Sequence, residues 1–327
     1  MKAYELVPGE GLLLVDRADP TIGHRDVRIR IRAASLNYRD SVIARVAKNR
    51  VVPLSDGAGE VLEVGAQVTR FKRGDRVVGS FFPTWVDGHI EATHHANALG
   101  GSIDGVLAEQ IVLPDTGVVA LPDHLSFEEG ATLPCAGLTA WHALHEASRV
   151  RSGDTVLVLG TGGVSIFALQ LAKAAGARVI ATTSSPDKAA RLKELGAATV
   201  IDYKQTPEWG DAVREASDGG VDLAVEVGGA GTFDQSVKAL RFGGDLGLIG
   251  VLTGTQGAIN THAIVHKSLH VHGIYVGSQT MFERFMRGLE VTRLTPIIDR
   301  VFPFAETRAA YAHLASGAHI GKVVISI

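Results

Sequence analysis

Thr155 to Leu159 (TVLVL) is an unbroken apolar run, and Gly160-Thr161-Gly162-Gly163-Val164-Ser165 follows it directly. From Val164 to Ala175 the apolar spacing turns helical. No charge falls between Asp154 and Lys173, and that length alone would suit a membrane span. The glycines split the stretch, however, and its first part is rich in valine. A strand buried on both faces, a tight turn and a buried helix therefore explain it better. A strand of that kind belongs to a parallel sheet, so more strand–helix units must follow.

They do follow. Arg178 to Thr182 reads as a strand, and Asp187 to Leu195 as a helix stopped by Gly196. Thr199 to Ile201, Asp222 to Val227 and Asp245 to Ile249 read as further strands, with Leu269 to Val276 as a last one at the sheet edge. Glycines between a strand and a helix are what a dinucleotide pyrophosphate requires. They make a tight turn, admit the phosphates to the backbone and leave the helix N–H groups and dipole facing them. Gly160, Thr161, Gly162, Gly163 and Val164 are thus expected to bind cofactor; Ser165 fills the third glycine position. An acid after the second strand would accept from the ribose of NAD. This chain has Thr182-Thr183-Ser184-Ser185, with Lys188 one turn on. Thr183, Ser184 and Lys188 could hold a 2′-phosphate, which points to NADP(H). Ser184 or Ser185 could equally cap the next helix, and the two readings are compatible.

The N-terminal part has a different texture. Val27, Ile29 and Ile31 alternate with arginines, as in a strand with one wet face. Gly59 to Gly65, Phe71 to Val78 and Leu107 to Leu113 are further short strands, suggesting a partly open barrel or sandwich. The tail carries an amphipathic helix near Phe304 to Ala315 and a closing strand, Lys322 to Ile327. A chain of 327 residues suits two domains. The 32 basic and 35 acidic residues imply no strong hold on nucleic acid. The single cysteine, Cys135, excludes an intrachain disulfide and a four-cysteine zinc site. With Glu5 and Glu10 near the start and no apolar signal region, a soluble cytoplasmic protein without membrane partners is expected.

Taken together, SLNYRD (Ser35 to Asp40), DGAGEV (Asp56 to Val61), GDRV (Gly74 to Val77), LPCAGLTAW (Leu133 to Trp141) and GTGGVS (Gly160 to Ser165) resemble the medium-chain dehydrogenase/reductase family. RVFPFA (Arg300 to Ala305) and GKVV (Gly321 to Val324) extend the likeness to the end of the chain. It is nearest to the zinc-free quinone oxidoreductase-like and alcohol dehydrogenase-like members. The resemblance implies an α/β protein with a Rossmann doubly wound parallel sheet and a GroES-like, mostly-β substrate domain. The expected division is residues 1–124 completed by 278–327 for the substrate domain, and 125–277 for the NADP-binding domain. It implies an active site in the cleft, and a homodimer through the Rossmann edge strand at Val271 to Val276. It also implies that Thr139, Gly250 and Val251 border the nicotinamide, and that Tyr203 flanks the adenosine 2′-phosphate.

Zinc enzymes of the family hold their catalytic ion at three places, which here are Asn37, Ser55 and Cys135. Asn and Ser are poor zinc ligands, so no metal site is expected. The alcohol dehydrogenase proton relay is missing too, with Arg39 and Val42 at its positions. What remains is hydride transfer to a carbon that is already electrophilic, in a quinone or an α,β-unsaturated carbonyl. Asn37 and Tyr38 are the candidate catalytic residues, as hydrogen-bond or proton donors to the carbonyl oxygen. Alternatively, SLNYRD is a structural turn, with Asp40 capping a short helix. Alternatives are an alcohol/aldehyde dehydrogenase, or an NADPH-binding structural or regulatory protein without turnover.

Overall fold

The computed structural model describes residues 1–254 and 256–327. They form two compact units: Met1–Leu138 with Val276–Ile327, and Thr139–Tyr275.

The first unit opens with the hairpin β1 (Lys2–Val7) and β2 (Gly11–Asp16). Five more strands follow: β3 (Asp26–Leu36), β4 (Asp56–Val64), β5 (Arg76–Gly79), β6 (Gln110–Pro114) and β7 (Val118–Ala120). The alternation read in β3 is what the strand uses: Val27, Ile29 and Ile31 are buried, and Arg30 and Arg32 face solvent. The segment read as one strand from Leu107 joins the β3 ladder only at Gln110. Its first residues serve β1 instead, with Leu107 O accepting from Tyr4 N and Glu109 N donating to Lys2 O.

The second unit is a parallel sheet of β8 (Thr155–Leu159), β9 (Arg178–Thr183), β10 (Thr199–Asp202), β11 (Val221–Glu226), β12 (Leu240–Leu248) and β13 (His270–Gly273). Their order across the sheet is β10-β9-β8-β11-β12-β13. That is the doubly wound Rossmann order, and it reverses between β8 and β11. The uncharged stretch resolves into β8, a turn and the 12-residue helix Gly163–Ala174. Among the described residues no helix is long and apolar enough to cross a membrane. The helix Pro186–Leu195 stops at Gly196, whose φ of 109° is left-handed.

The chain then returns to the first unit. It adds the amphipathic helix Gln279–Thr292, β14 (Ile298–Pro303), the helix Thr307–Ser316 and β15 (Lys322–Ser326). β15 lies antiparallel against β3, with β14 beyond it. The division falls after Leu138 and after Tyr275, where the sequence suggested 124 and 277. The residues from 125 to 138 stay with the first unit because they pack on β4: Cys135 N donates to Asp56 Oδ2, and Gly130 lies against Ala58.

Candidate active site

In the second unit, the residues expected to bind cofactor gather along the carboxyl ends of neighbouring strands. β8 delivers Gly160 to the reversal point of the sheet, and Gly160 N donates to Thr182 O at the end of β9. Gly160 has φ +70°, a conformation that glycine adopts freely. Gly162 caps the helix Gly163–Ala174 without offering it a side-chain acceptor. A Cβ built on either Gly160 or Gly162 would meet no protein atom within 4 Å. At Gly160 the left-handed backbone itself favours glycine, but at Gly162 neither backbone nor packing demands it, whereas a phosphate approaching the helix N-terminus would. Thr161 is buried, and the Ser165 hydroxyl donates to Leu159 O at 2.6 Å, tying helix to strand where the fingerprint usually has glycine.

Thr183 ends β9, and Tyr203 follows β10 with its N–H donating to Thr183 O at 3.1 Å. The register brings Ser184 and Tyr203 to adjacent strand ends, with Tyr203 41% exposed. Ser185 is the residue that caps the next helix, accepting from Lys188 N at 3.5 Å. Gly250 N donates to Glu226 O, which sets Gly250 and Val251 beyond the ends of β11 and β12. Thr139 is buried at the start of this unit. One unforeseen residue underlies the group. Glu226 is fully buried, and its carboxylate accepts from Gly228 N, Gly229 N, Thr232 Oγ1 and Ser236 Oγ. An acid inside the apolar run DLAVEV was the available signal.

In the first unit, Asn37, Ser55 and Cys135 converge on a second group of buried charges. Leu54 carries the strained left-handed φ of +68°. Its backbone is clamped by Gly105, where a Cβ would lie 1.9 Å from Leu54 O. This clamp sets Ser55, whose hydroxyl donates to Asp56 Oδ1 at 2.6 Å. Cys135 N donates to the other oxygen of Asp56 at 3.1 Å. Lys322 Nζ, buried, donates to Asn37 Oδ1 at 2.5 Å and to Leu36 O at 2.6 Å. Asn37 is the N-cap of the helix Tyr38–Val46, and Asp40 closes its capping box, with Oδ2 accepting from Asn37 N at 2.6 Å; this is the structural turn that SLNYRD also allowed. Tyr38, the first residue of that helix, is 45% exposed, whereas Asn37 is buried.

These groups do not form a metal donor set. The Ser55 hydroxyl and the Asn37 carbonyl oxygen are engaged by Asp56 and Lys322. Burial, and then the neighbouring Asp56 carboxylate, push the Cys135 thiol far above its ordinary range. Among the described residues no group of three or more His, Cys, Asp or Glu could hold a metal ion. Within the segment 87–101, His94 serves local structure: its Nδ1 accepts from Glu91 N, and its ring stacks on Trp85.

Burial raises Asp56, against the pull of Lys322 and the Ser55 hydroxyl. Burial likewise raises Asp40 from 3.8 to about 6, outweighing Arg39 and the Asn37 N–H. A carboxyl raised in the folded state binds its proton more tightly than in the unfolded chain. Its contribution is fully present below the unfolded value and is lost as pH rises through the folded one. Asp40 should therefore remove about 3 kcal/mol of stability between roughly pH 4 and 6.5. Asp40→Asn keeps an acceptor for Asn37 N and should flatten that part of the pH–stability curve, as urea unfolding at several pH values would reveal. An unchanged slope in Asp40→Asn would remove Asp40 from the explanation.

Residues 163–290 match the zinc-binding dehydrogenase family, and residues 23–123 match the alcohol dehydrogenase GroES-like domain. The chain is 43% identical over 316 residues to a zinc-type alcohol dehydrogenase-like protein of Schizosaccharomyces pombe, across 92% of this chain and 91% of that one. It is 31% identical to a quinone oxidoreductase of Pseudomonas aeruginosa, across 93% of this chain and 91% of that one. A crystal structure of an NAD-dependent alcohol dehydrogenase matches with a TM-score of 0.89 at 32% identity, over the whole of both chains.

Proposed function

Because the chain belongs to the medium-chain dehydrogenase/reductase superfamily, an oxidoreductase family that uses NAD or NADP, we propose that it is a zinc-independent, NADP(H)-dependent reductase of quinones or α,β-unsaturated carbonyls. The observation that carries this reading is the state of Asn37 and Ser55: the Asn37 carbonyl oxygen accepts from Lys322, and the Ser55 hydroxyl donates to Asp56. A substrate there receives no Lewis acid from this donor set, so it must already be electrophilic. The likeness to a quinone oxidoreductase supports the same substrate class.

NADPH, when bound, supplies the hydride. Gly160, Thr161, Gly162, Gly163 and Val164 receive its pyrophosphate at the helix N-terminus, and Thr139, Gly250 and Val251 border its nicotinamide. The chain's task at the substrate is to donate hydrogen bonds to the carbonyl oxygen as charge develops there. Tyr38 is the better placed of the two candidates, with a half-exposed phenol that can donate a hydrogen bond or a proton. Asn37 donates through its side-chain amide, which Lys322 orients. A panel of quinones, enones and aldehydes with NADPH tests the reading; oxidation of NADPH by none of them would refute it.

Cofactor choice rests on Thr183, Ser184, Lys188 and Tyr203: the end of β9 carries hydroxyls where an acid would accept from the ribose of NAD. Ser184→Asp should shift kcat/KM from NADPH toward NADH by about 100-fold, since it sets a carboxylate against a doubly charged phosphate. A wild-type preference for NADH would contradict the assignment. The free edge of β13 completes the proposal as a homodimer contact, with Val271 and Tyr275 exposed beside it.

A further inference from the structure

Lys322 is 3% exposed. It opens β15, and the antiparallel register sets Val323 opposite Leu36 and Val324 opposite Ser35. One step further along the ladder, Lys322 meets Asn37, where β3 gives way to the helix Tyr38–Val46. A lysine at a strand end ordinarily extends its flexible stem to water, because an ammonium is strongly hydrated. This one turns inward, with its Nζ donating to Leu36 O and Asn37 Oδ1. The buried carboxyl groups of Asp40 and Asp56 lie within its electrostatic reach. Holding the charge inside is expensive unless the contacts are good, so the register commits the lysine to this turn.

The consequence falls on Asn37. An ammonium has donors only, so it accepts just one orientation of the amide: oxygen toward Lys322 and nitrogen away. Asn37 Nδ2 is buried and has no hydrogen-bond partner. It lies close enough to Asp56 to favour that carboxylate, but without hydrogen-bond geometry. The donor is thus oriented without being used up.

We propose that Lys322 is the positioning residue of the substrate side: its ammonium fixes the Asn37 amide, nitrogen outward from the lysine, and anchors the turn that presents Tyr38. The inference rests on the reading of Asn37 and Tyr38 as the substrate-facing residues, and its test separates the two. Full-length wild type, Lys322→Met and Lys322→Arg are compared by the side-chain amide NMR signals of Asn37 (identified by their loss in Asn37→Ser), by acceptor kinetics and by NADPH binding. In the wild type, Lys322 should be the lysine slowest to undergo reductive methylation, a measurement that needs no variant to fold. Lys322→Met should lose the distinct, slowly exchanging Asn37 amide pair. Its kcat should fall at least about 30-fold while the NADPH Kd stays within about threefold, as misorientation at a distance would produce. Lys322→Arg should restore the amide signals and part of kcat.

Asn37 signals unchanged in Lys322→Met, methylation of wild-type Lys322 at the rate of surface lysines, or kcat within threefold of wild type would each overturn the proposal. So would a tenfold rise in NADPH Kd with the amide signals intact, which would assign Lys322 to the cofactor. If the wild type turns over no acceptor, the functional reading fails by itself, and the amide and methylation results still decide whether Lys322 holds Asn37.

Discussion

Gly162→Val should leave the second unit folded and weaken NADPH binding by about 100-fold, close to 2.7 kcal/mol. The expectation comes from the empty space at this position. A side chain there meets no protein atom within 4 Å, so nothing in the fold resists it. The residue caps a helix, where valine is poorer than glycine, at a cost of about 1 kcal/mol. The same side chain would occupy the space that a pyrophosphate needs to reach the free N–H groups of the first helical turn. Calorimetric melting and NADPH fluorescence titration of one variant separate the two roles. A large fall in melting temperature with the residual affinity intact would mean that the glycines serve packing.

Glu226→Ala should have the largest effect on stability, about 4 kcal/mol. The buried carboxylate gathers two backbone N–H groups, from Gly228 at 2.7 Å and Gly229 at 2.9 Å, and the hydroxyls of Thr232 and Ser236. Truncation leaves these donors without an acceptor in an interior that water does not reach, and opens a cavity beside them. In a unit of this size the loss should lower the melting transition by about 10 °C or more. Glu226→Gln retains one acceptor oxygen but turns an NH2 toward donors, so it should fall between wild type and alanine. A transition in Glu226→Ala within about 2 °C of wild type would show that the network is dispensable.

What could be read from the residues depended on whether the signal was local. β8, its glycine turn and the following helix were legible because a strand buried on both faces is a continuous apolar run, and the turn chemistry sits beside it. Gly196 ended its helix as read, and the last Rossmann strand lies at the sheet edge. The helix Gln279–Thr292 went unread although Phe282, Phe285, Met286 and Leu289 are buried at helical spacing. The π-helical turns Leu133–Gly137 and His142–Ala147 leave no periodic mark short enough to see.

At the candidate site, the glycines from Gly160 to Gly163 were legible as a turn between strand and helix, which is where they lie. Lys322 and Asp56 were not, because a charged residue is surface by default and only tertiary register buries these two. Lys322 is separated from Asn37 by 285 positions, and the pairing of β15 with β3 alone brings them together. The first-unit cluster is therefore a product of sheet register, not of any local pattern.

As proposed, this dehydrogenase scaffold reduces activated carbonyls without zinc. This is tested most directly by measuring zinc content and NADPH oxidation on one chelator-treated sample, with quinones and enones as acceptors. Turnover should be steady at less than about 0.1 zinc per chain and unchanged when zinc is added back. Turnover that appears only with stoichiometric zinc would contradict it.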